Sequence, residues 1–551
     1  MIKNLLKNPV VSYLLVFLIT LPAVISVIRP GFYPMHDDFQ VIRTFEMDKC
    51  FKDGQFPCRW VPDMGFGYGY PQFNYYAPLP YYIMELTHLV GFSFIDSVKL
   101  FIVLITLASA AGMYLFARYL WKNNLSALIS TVLYVYLPFR AVDMYVRGAI
   151  PELTAMAVIP FLFLFAAKMA GGEKRSVFWF VISAAVLFLS HNIATLIVTP
   201  AVVLWTVYLT IRERNWPRVP WTIAGFAIAA GLSAFFIFPA WIEKGYVHIN
   251  TLTSGYFNYL AHYVSLPQML LSNHWGYGSS ELGINDDIYL GVGIVQWISA
   301  LVGVIAVFLT KKHKQIGSTL FLFVLGWVSL FLMHERSSFI WEKVEILSFI
   351  QFPWRILMLT GFLFAAVAGG IMIIPKTVLK WIAVGVVIVS VIVLYGNFFK
   401  PSQWLKTTDS QKLTGEAWTK SITASLYDYL PVSAKEGPDY EAKGEPVVKN
   451  GRADIVSGER GSNWQRWNVN VFSDEAEVEL QLFYFPGFSV KVDGIASDID
   501  YDNTYGLITV PLEKGEHQIN ARLENTPVRR AANIVSLLSL VPLGYIFFKR
   551  K

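Results

Sequence analysis

LPYYIMELTHLVGFSF, residues 79–94, is the stretch on which the topology of this chain turns. A helix that crosses a bilayer needs roughly 20 predominantly apolar residues, whereas this run is shorter and carries Glu85 and His88. Counted as a crossing, it would move the basic run RYLWKNN, 118–124, to the outer side, against the tendency of Lys and Arg to stay cytoplasmic. Read as a helix lying in the outer interface, with Tyr81 and Tyr82 near the headgroups, it leaves every basic loop on one face.

With that segment set aside, crossings are expected near 10–28, 97–118, 125–139, 153–170, 176–190, 194–211, 221–241, 288–310, 316–333, 355–374, 379–397 and 532–548. Twelve crossings place both termini on the same side. MIKNLLK, RYLWKNN, GGEKR, RERNWPR, KKHKQ, PKTVLK and KRK then all face the cytoplasm. The external segments are 29–96, 140–152, 242–287, 334–354 and 398–531. No small-residue cleavage site follows the basic, apolar N-terminus, which reads as a retained first span. The expectation is a multi-pass protein of the plasma membrane.

Composition agrees. Of 551 residues, 55% are hydrophobic and 15% charged, and the mean hydropathy is +0.46, which excludes an ordinary water-soluble globular protein. The formal charge of +6 sits in short clusters between apolar runs, and no nucleic-acid motif accompanies it, so nucleic acid is not an expected partner. The two cysteines, Cys50 and Cys58, share the first external loop. That spacing allows a local disulfide if the loop faces an oxidising compartment, with two free thiols the equal alternative.

Residues 398–531 change character. WNVNVF, AEVELQLFYF, FSVKVD, GLITVP and HQINARL alternate with period two between Gly and Asp turns, which predicts strands and a small β-sandwich. The expected organisation is a helical module over 1–397, an external β-domain over 398–531 and a membrane anchor over 532–551.

The chemistry-bearing residues cluster at expected external ends of crossings. FYPMHDDFQVIRTFE, 32–46, holds His36, Asp37 and Asp38 close after the first span. One Asp suffices to cap the helix that follows, whereas a second carboxylate beside hydrocarbon needs a partner or a task. FRAVDMYVRGAIPE, 139–152, adds Arg140, Asp143, Arg147 and Glu152, the last as either a helix-dipole cap or a second acid converging on the same cavity. His191 in FLSHNIATL and Arg355 in QFPWR interrupt apolar sequence, where polar groups are functional suspects. Asp286 and Asp287 precede a strong span and read mainly as caps. Trp464 and Trp467 suit either a core or a sugar-stacking face.

HDD after the first span, PLPYYI, RYLWKNN and RGAIPE, in that order, resemble the GT-C superfamily of membrane glycosyltransferases, which use lipid-phosphate-linked sugars. LSHN, QFPWR, FYFPGFSVKVDG and GLITVPLEKGEH are similar, more narrowly, to its 6-pyruvoyl-tetrahydropterin-synthase-related membrane proteins. The resemblance implies a GT-C-like polytopic helical fold, and transfer of a sugar with inversion from a polyprenyl-phosphate donor to an external glycan, lipid or protein acceptor. It implies a carboxylate base at Asp37 or Asp38, with Glu152 as a further acid. It implies substrate or phosphate contacts from His36, Tyr75, Arg147, His191 and Arg355. Related families carry Asp-Glu or Asp-x-Asp where this chain has Asp-Asp, which leaves open which oxygen acts as base. A divalent metal is left open too, with Asp37 and Asp38 its ligands if one binds. The competing readings are a transporter or flippase of lipid-linked saccharides, and a non-catalytic membrane protein that binds glycan.

Overall fold

The computed structural model describes residues 8–283, 285–310 and 313–548. The basic runs at 1–7, 311–312 and 549–551, which carry part of the charge asymmetry, lie outside the described residues. Six helices are long and apolar enough to cross a membrane: Phe94–Trp121, Ile150–Ala170, Asn192–Glu213, Pro353–Ile373, Thr377–Phe398 and Pro527–Phe548. Three bent pairs, Asn124–Val135 with Pro138–Arg147, Trp216–Leu232 with Ala234–Ile242, and Gln315–Phe331 with Glu335–Lys343, raise the number to nine if each pair is one span. Val10–Val24, Ser176–Ser190 and Ile294–Leu309 are shorter apolar helices. A helix or bent pair therefore stands at each expected crossing. The first bend has a local cause: the residue before Pro138 is pushed out of helical geometry, and Leu137 is extended.

Burial separates the middle of the bundle from its rim. In Pro353–Ile373, 94% of the apolar window is buried, against 11% in Thr377–Phe398 and 6% in Pro527–Phe548, so the last two present their sides to lipid. The helix headed by Arg355 is thus central.

The stretch 79–94 forms a helix only over Leu79–Leu89 and then turns into Phe94–Trp121. At eleven residues it is too short to cross a bilayer. One detail differs from expectation: Tyr81 is buried rather than at a headgroup surface, because its hydroxyl donates to Gln40 Oε1 at 2.7 Å. The aromatic first loop packs down on it. Cys50 and Cys58 are joined by a disulfide within that loop.

Six strands, β1 (Val447–Asn450), β2 (Ala453–Arg460), β3 (Trp464–Phe483), β4 (Phe488–Val492), β5 (Ile495–Ala496) and β6 (Leu507–Leu523), make one antiparallel sheet, not the two facing sheets of the expected sandwich. The order is β1-β3-β6-β4-β5, with β2 beside the first half of β3. WNVNVF and AEVELQLFYF fuse into β3, because the turn-like residues between them are absorbed where the register shifts between Val471 and Glu475. GLITVP and HQINARL fuse into β6 in the same way. Trp467 is buried in this sheet, so its place is core.

Before the strands, residues 399–446 run back across the ends of the helices that carry the first loop. Leu405 pairs with Phe32, and the Asp409 carboxylate accepts from Phe94 N and Ile95 N at 2.7 and 3.0 Å, capping a long helix from a distant part of the chain.

Candidate active-site cavity

The HDD loop is sewn to the 140–152 loop through its backbone. His36 N donates to Val146 O and Asp37 N to Arg147 O, both at 2.9 Å, and Gln40 Nε2 reaches Gly148 O at 2.9 Å. Asp143–Arg147 is a single π turn ended by Gly148 in the left-handed region at φ +67°. A Cβ on Gly148 would lie 2.1 Å from Met35 Sδ. Gly148→Ala therefore brings backbone strain of about 1–3 kcal/mol and pushes on the residue preceding His36; we expect a lower thermal midpoint in detergent for this variant, read by intrinsic fluorescence, with weakened function.

These loops wall a cavity of about 700 Å3. His36, Asp37, Tyr75, Arg147, Glu152, His191 and Arg355 all line it, so every expected site residue except Asp38 converges there. Asp38 turns the other way, to Lys412 at 2.6 Å. Burial holds its carboxyl above the usual carboxylate range, against the opposing pull of Lys412. Neither Asp caps the following helix, whose N-terminal residue Phe39 has no side-chain cap. Asp286 and Asp287 are not caps either: Asp286 accepts from Gln268 at 2.7 Å, and Asp287 pairs with His274 at 3.1 Å. Arg140 is buried elsewhere, donating to Ser109 Oγ at 2.7 Å.

Asp37 is held firmly. Arg43 Nη1 donates to both of its oxygens at 3.0 and 2.9 Å, Gln40 Nε2 to one at 3.1 Å, and the Tyr76 hydroxyl lies 3.4 Å away. The Arg43 guanidinium also stacks on the Tyr76 ring at 4.3 Å. The carboxylate is nevertheless about a third exposed, toward the cavity.

Glu152, at the head of Ile150–Ala170, is not a free acid. Arg147 grips it bidentately at 2.7 and 2.9 Å, Arg355 Nε lies 2.8 Å away, and His191 Nε2 4.0 Å. Arg147 also bonds Asp143 at 2.5 Å and rests on the Trp354 ring at 4.7 Å. Arg355 Nη1 is taken by Ile350 O and Gln351 Oε1. Two buried carboxylates thus balance two arginines, both of which line the cavity. His191 serves twice: its Nδ1 accepts from Ala194 N at 3.0 Å as the N-cap of Asn192–Glu213, which leaves the Nε2 proton toward Glu152. Tyr75 donates to Glu243 O at 2.7 Å and stacks on Tyr429 at 5.5 Å.

Phe188, Leu196, Phe236, Ile237, Phe349 and the exposed Trp241 give the cavity an apolar stretch of wall. Among the polar lining residues not anticipated from the sequence, which include Arg43, Asn192, Lys244 and Gln351, one is a carboxylate. Asp428, from the C-terminal region, joins Ser425 and Tyr429 in the wall. Burial, reinforced by the Asp37 charge and opposed by Arg43, pushes its carboxyl up to about 6. SLYDYLP, 425–431, carries no mark of this in sequence, because a lone Asp between tyrosines reads as a loop.

The donor set does not suit the divalent metal left open at Asp37 and Asp38. Their side chains diverge, each already faces a fixed cation, and no group of three or more His, Cys, Asp or Glu among the described residues is placed to hold an ion.

Fold and cavity together define a helical membrane protein with an ionised polar chamber opening beside apolar walls. Residues 73–402 match the 6-pyruvoyl-tetrahydropterin synthase related domain, a membrane protein domain, and the chain belongs to that family. An uncharacterized protein of Lactococcus lactis subsp. cremoris is 27% identical over 267 residues, which is 47% of this chain and 42% of that protein; the match thus spans less than half of the relative's length. Among solved structures, the mycobacterial arabinofuranosyltransferase AftD aligns with a TM-score of 0.43 and 17% identity, over 76% of this chain and 27% of that one. The apo oligosaccharyltransferase of Archaeoglobus fulgidus aligns with a TM-score of 0.42 and 10% identity, over 79% and 60%.

Proposed function

We propose that the chain is an integral membrane glycosyltransferase that moves a sugar, with inversion, from a polyprenyl-phosphate-linked donor to an extracytoplasmic acceptor. The observation that carries this reading is the composition of one cavity: an aspartate in its lining, two arginines paired with buried carboxylates, and an apolar stretch of wall. A donor of this kind has the same division, a hydrocarbon tail, an anionic phosphate and a polar sugar. Arg147 and Arg355 would receive the phosphate as the glycosidic bond breaks, since fixed cations in a water-poor site stabilise developing charge without reorganising. Asp37 would accept the hydrogen bond of the acceptor hydroxyl. Glu152 then positions the arginines and does not act as an acid. A single displacement with no carboxylate nucleophile behind the sugar inverts the anomeric carbon.

The proposed topology has twelve crossings, both termini cytoplasmic and the sheet domain outside. A cysteine replacing Asp474, exposed on the sheet domain, should react with a membrane-impermeant maleimide in intact cells, and one replacing the exposed Lys174 only after permeabilisation. The opposite labelling would put the cavity on the wrong side for an external acceptor. Function is tested by mass spectrometry of lipid that copurifies with the protein. We expect a polyprenyl phosphate bearing a sugar, and copurification of ordinary phospholipid alone would contradict the donor assignment.

A further inference from the structure

The C-terminal region does more than cover the helices. Its segment 424–434 crosses to the cavity as a strap fastened at several points. Val432 N donates to Tyr246 O at 3.0 Å, His248 N to Leu430 O at 3.1 Å, and Thr251 Oγ1 to Tyr427 O at 2.7 Å. The Tyr70 hydroxyl, from the first loop, lies 2.7 and 2.9 Å from Ser425 O and Leu426 O and accepts from Tyr429 N at 2.7 Å. Ser425 is held at φ +54°, a conformation a non-glycine residue adopts at some expense in energy and keeps only where its surroundings enforce it. The short turn Leu426–Asp428 that follows sets Asp428 into the cavity wall.

We propose that Asp428 takes the proton of the acceptor hydroxyl, while Asp37, fixed by Arg43, holds that hydroxyl in place. This rests on the glycosyltransferase reading above and divides its acid–base work between two segments remote in sequence. The contrast between the carboxylates is geometric. Asp37 has both of its oxygens engaged by one guanidinium, which fixes it as a holding group. Asp428 has no Lys, Arg or His within salt-bridge distance among the described residues, and its turn closes through backbone, Asp428 N to Ser425 O, without needing the carboxylate. The groups whose charge reaches it are Arg43 and Asp37 from the first loop, Tyr70 from the same loop and its neighbour Tyr429, with the Ser425 hydroxyl beside it. A carboxyl that titrates near 6 is well matched to a base working near neutrality.

In the transfer step, the acceptor O–H bond breaks and its proton passes to Asp428. The oxygen forms a bond to the anomeric carbon, and the bond from that carbon to the phosphate oxygen breaks with its electron pair, leaving a phosphate facing Arg147 and Arg355. Asp428 then returns its proton to water.

The test uses the full-length protein in nanodiscs, with short-chain polyprenyl phosphates of glucose, mannose, galactose and arabinofuranose as donors and octyl glycosides as acceptors. Wild-type kcat should rise with pH through about 6 and level off, because the base works ionised. Asp428→Asn should lower kcat by about 10²–10⁴-fold and abolish that rise, with the donor KM and the thermal midpoint little changed. Asp428→Glu should restore part of the rate, and Asp37→Asn should keep the pH dependence at a reduced rate. Wild-type rate, or an unchanged acid limb, in Asp428→Asn overturns the role of Asp428 and leaves the glycosyltransferase reading standing. No turnover of any donor by the wild type overturns that reading and the role of Asp428 with it.

Discussion

Asp37→Asn is expected to lower sugar transfer by at least about 10²-fold, the size of effect that follows when a reacting group loses its positioning contact, whereas Asp38→Asn should leave transfer close to wild type. The two residues are adjacent and chemically identical, and on sequence alone substitution of either should impair the reaction. The structure separates them by direction. Asp37 faces the cavity and carries the only carboxylate that Arg43 engages among the described residues. Asp38 faces Lys412 and lies outside the cavity lining. Asn at 37 keeps the shape and the contact with Gln40 but removes the charge that an acceptor hydroxyl would meet, and it leaves a buried guanidinium stacked on Tyr76 without its counter-ion. Initial rates of the two variants in nanodiscs, set against their thermal midpoints, check the prediction: equal loss in both would return the assignment to the HDD pair as a unit, and unchanged transfer in Asp37→Asn would remove Asp37 from the site. The effect of Asp38→Asn should appear instead in stability, through the tie to Lys412 that holds residues 399–412 against the first loop.

Much of this was legible because membrane helices are written in runs of apolar residues that no other structure needs. A helix or bent pair stands at each expected position, six of them, or nine with the bent pairs, long and apolar enough to cross a membrane, and the helix within 79–94 is too short to be one. Breaks are less legible. Pro138 announces one of them, but the 77° bend at Ser233 and the 95° bend after Phe331 have no comparable marker. Seven of the eight candidate residues converge because an ionisable group beside an apolar run is costly unless it faces protein or water. What sequence cannot supply is the direction of a side chain on a turn, which separates Asp37 from Asp38, and pairing across long separations. Arg147 and Glu152 are near neighbours, but nothing near Arg355 points to Glu152, and nothing in SLYDYLP points to Arg43. The single sheet was missed for a related reason: period-two alternation marks strands, yet two short runs joined by a bulge and two separate strands look the same in sequence.

The largest loss of stability should come from Glu152→Ala. The cluster at the cavity floor balances Asp143 and Glu152 against Arg147 and Arg355, with His191 contributing a neutral imidazole in the tautomer its cap imposes. Glu152 is the shared partner, with Arg147 on both its oxygens and Arg355 on one. Removing it leaves one positive charge in excess in a fully buried position, and breaking a buried pair from one side typically costs about 3–5 kcal/mol. Most of that is the uncompensated cation and not the lost attraction. The same count predicts a partial rescue. Glu152→Gln combined with Arg355→Gln restores neutrality, leaving Asp143 with Arg147, so the double variant should melt above Glu152→Ala and above the sum of its single variants, a coupling that only interacting sites show. Transfer should not follow stability. Arg355 is one of the two cations proposed to meet the phosphate, so the double variant should be folded yet bind a polyprenyl phosphate more weakly than wild type. Thermal unfolding in detergent alongside crosslinking to a photoactivatable polyprenyl phosphate reads both quantities. A double variant no more stable than the sum of its single variants would show that Glu152 and Arg355 do not act as a charge pair. One that captured the lipid as wild type does would show that Arg355 only props up the fold.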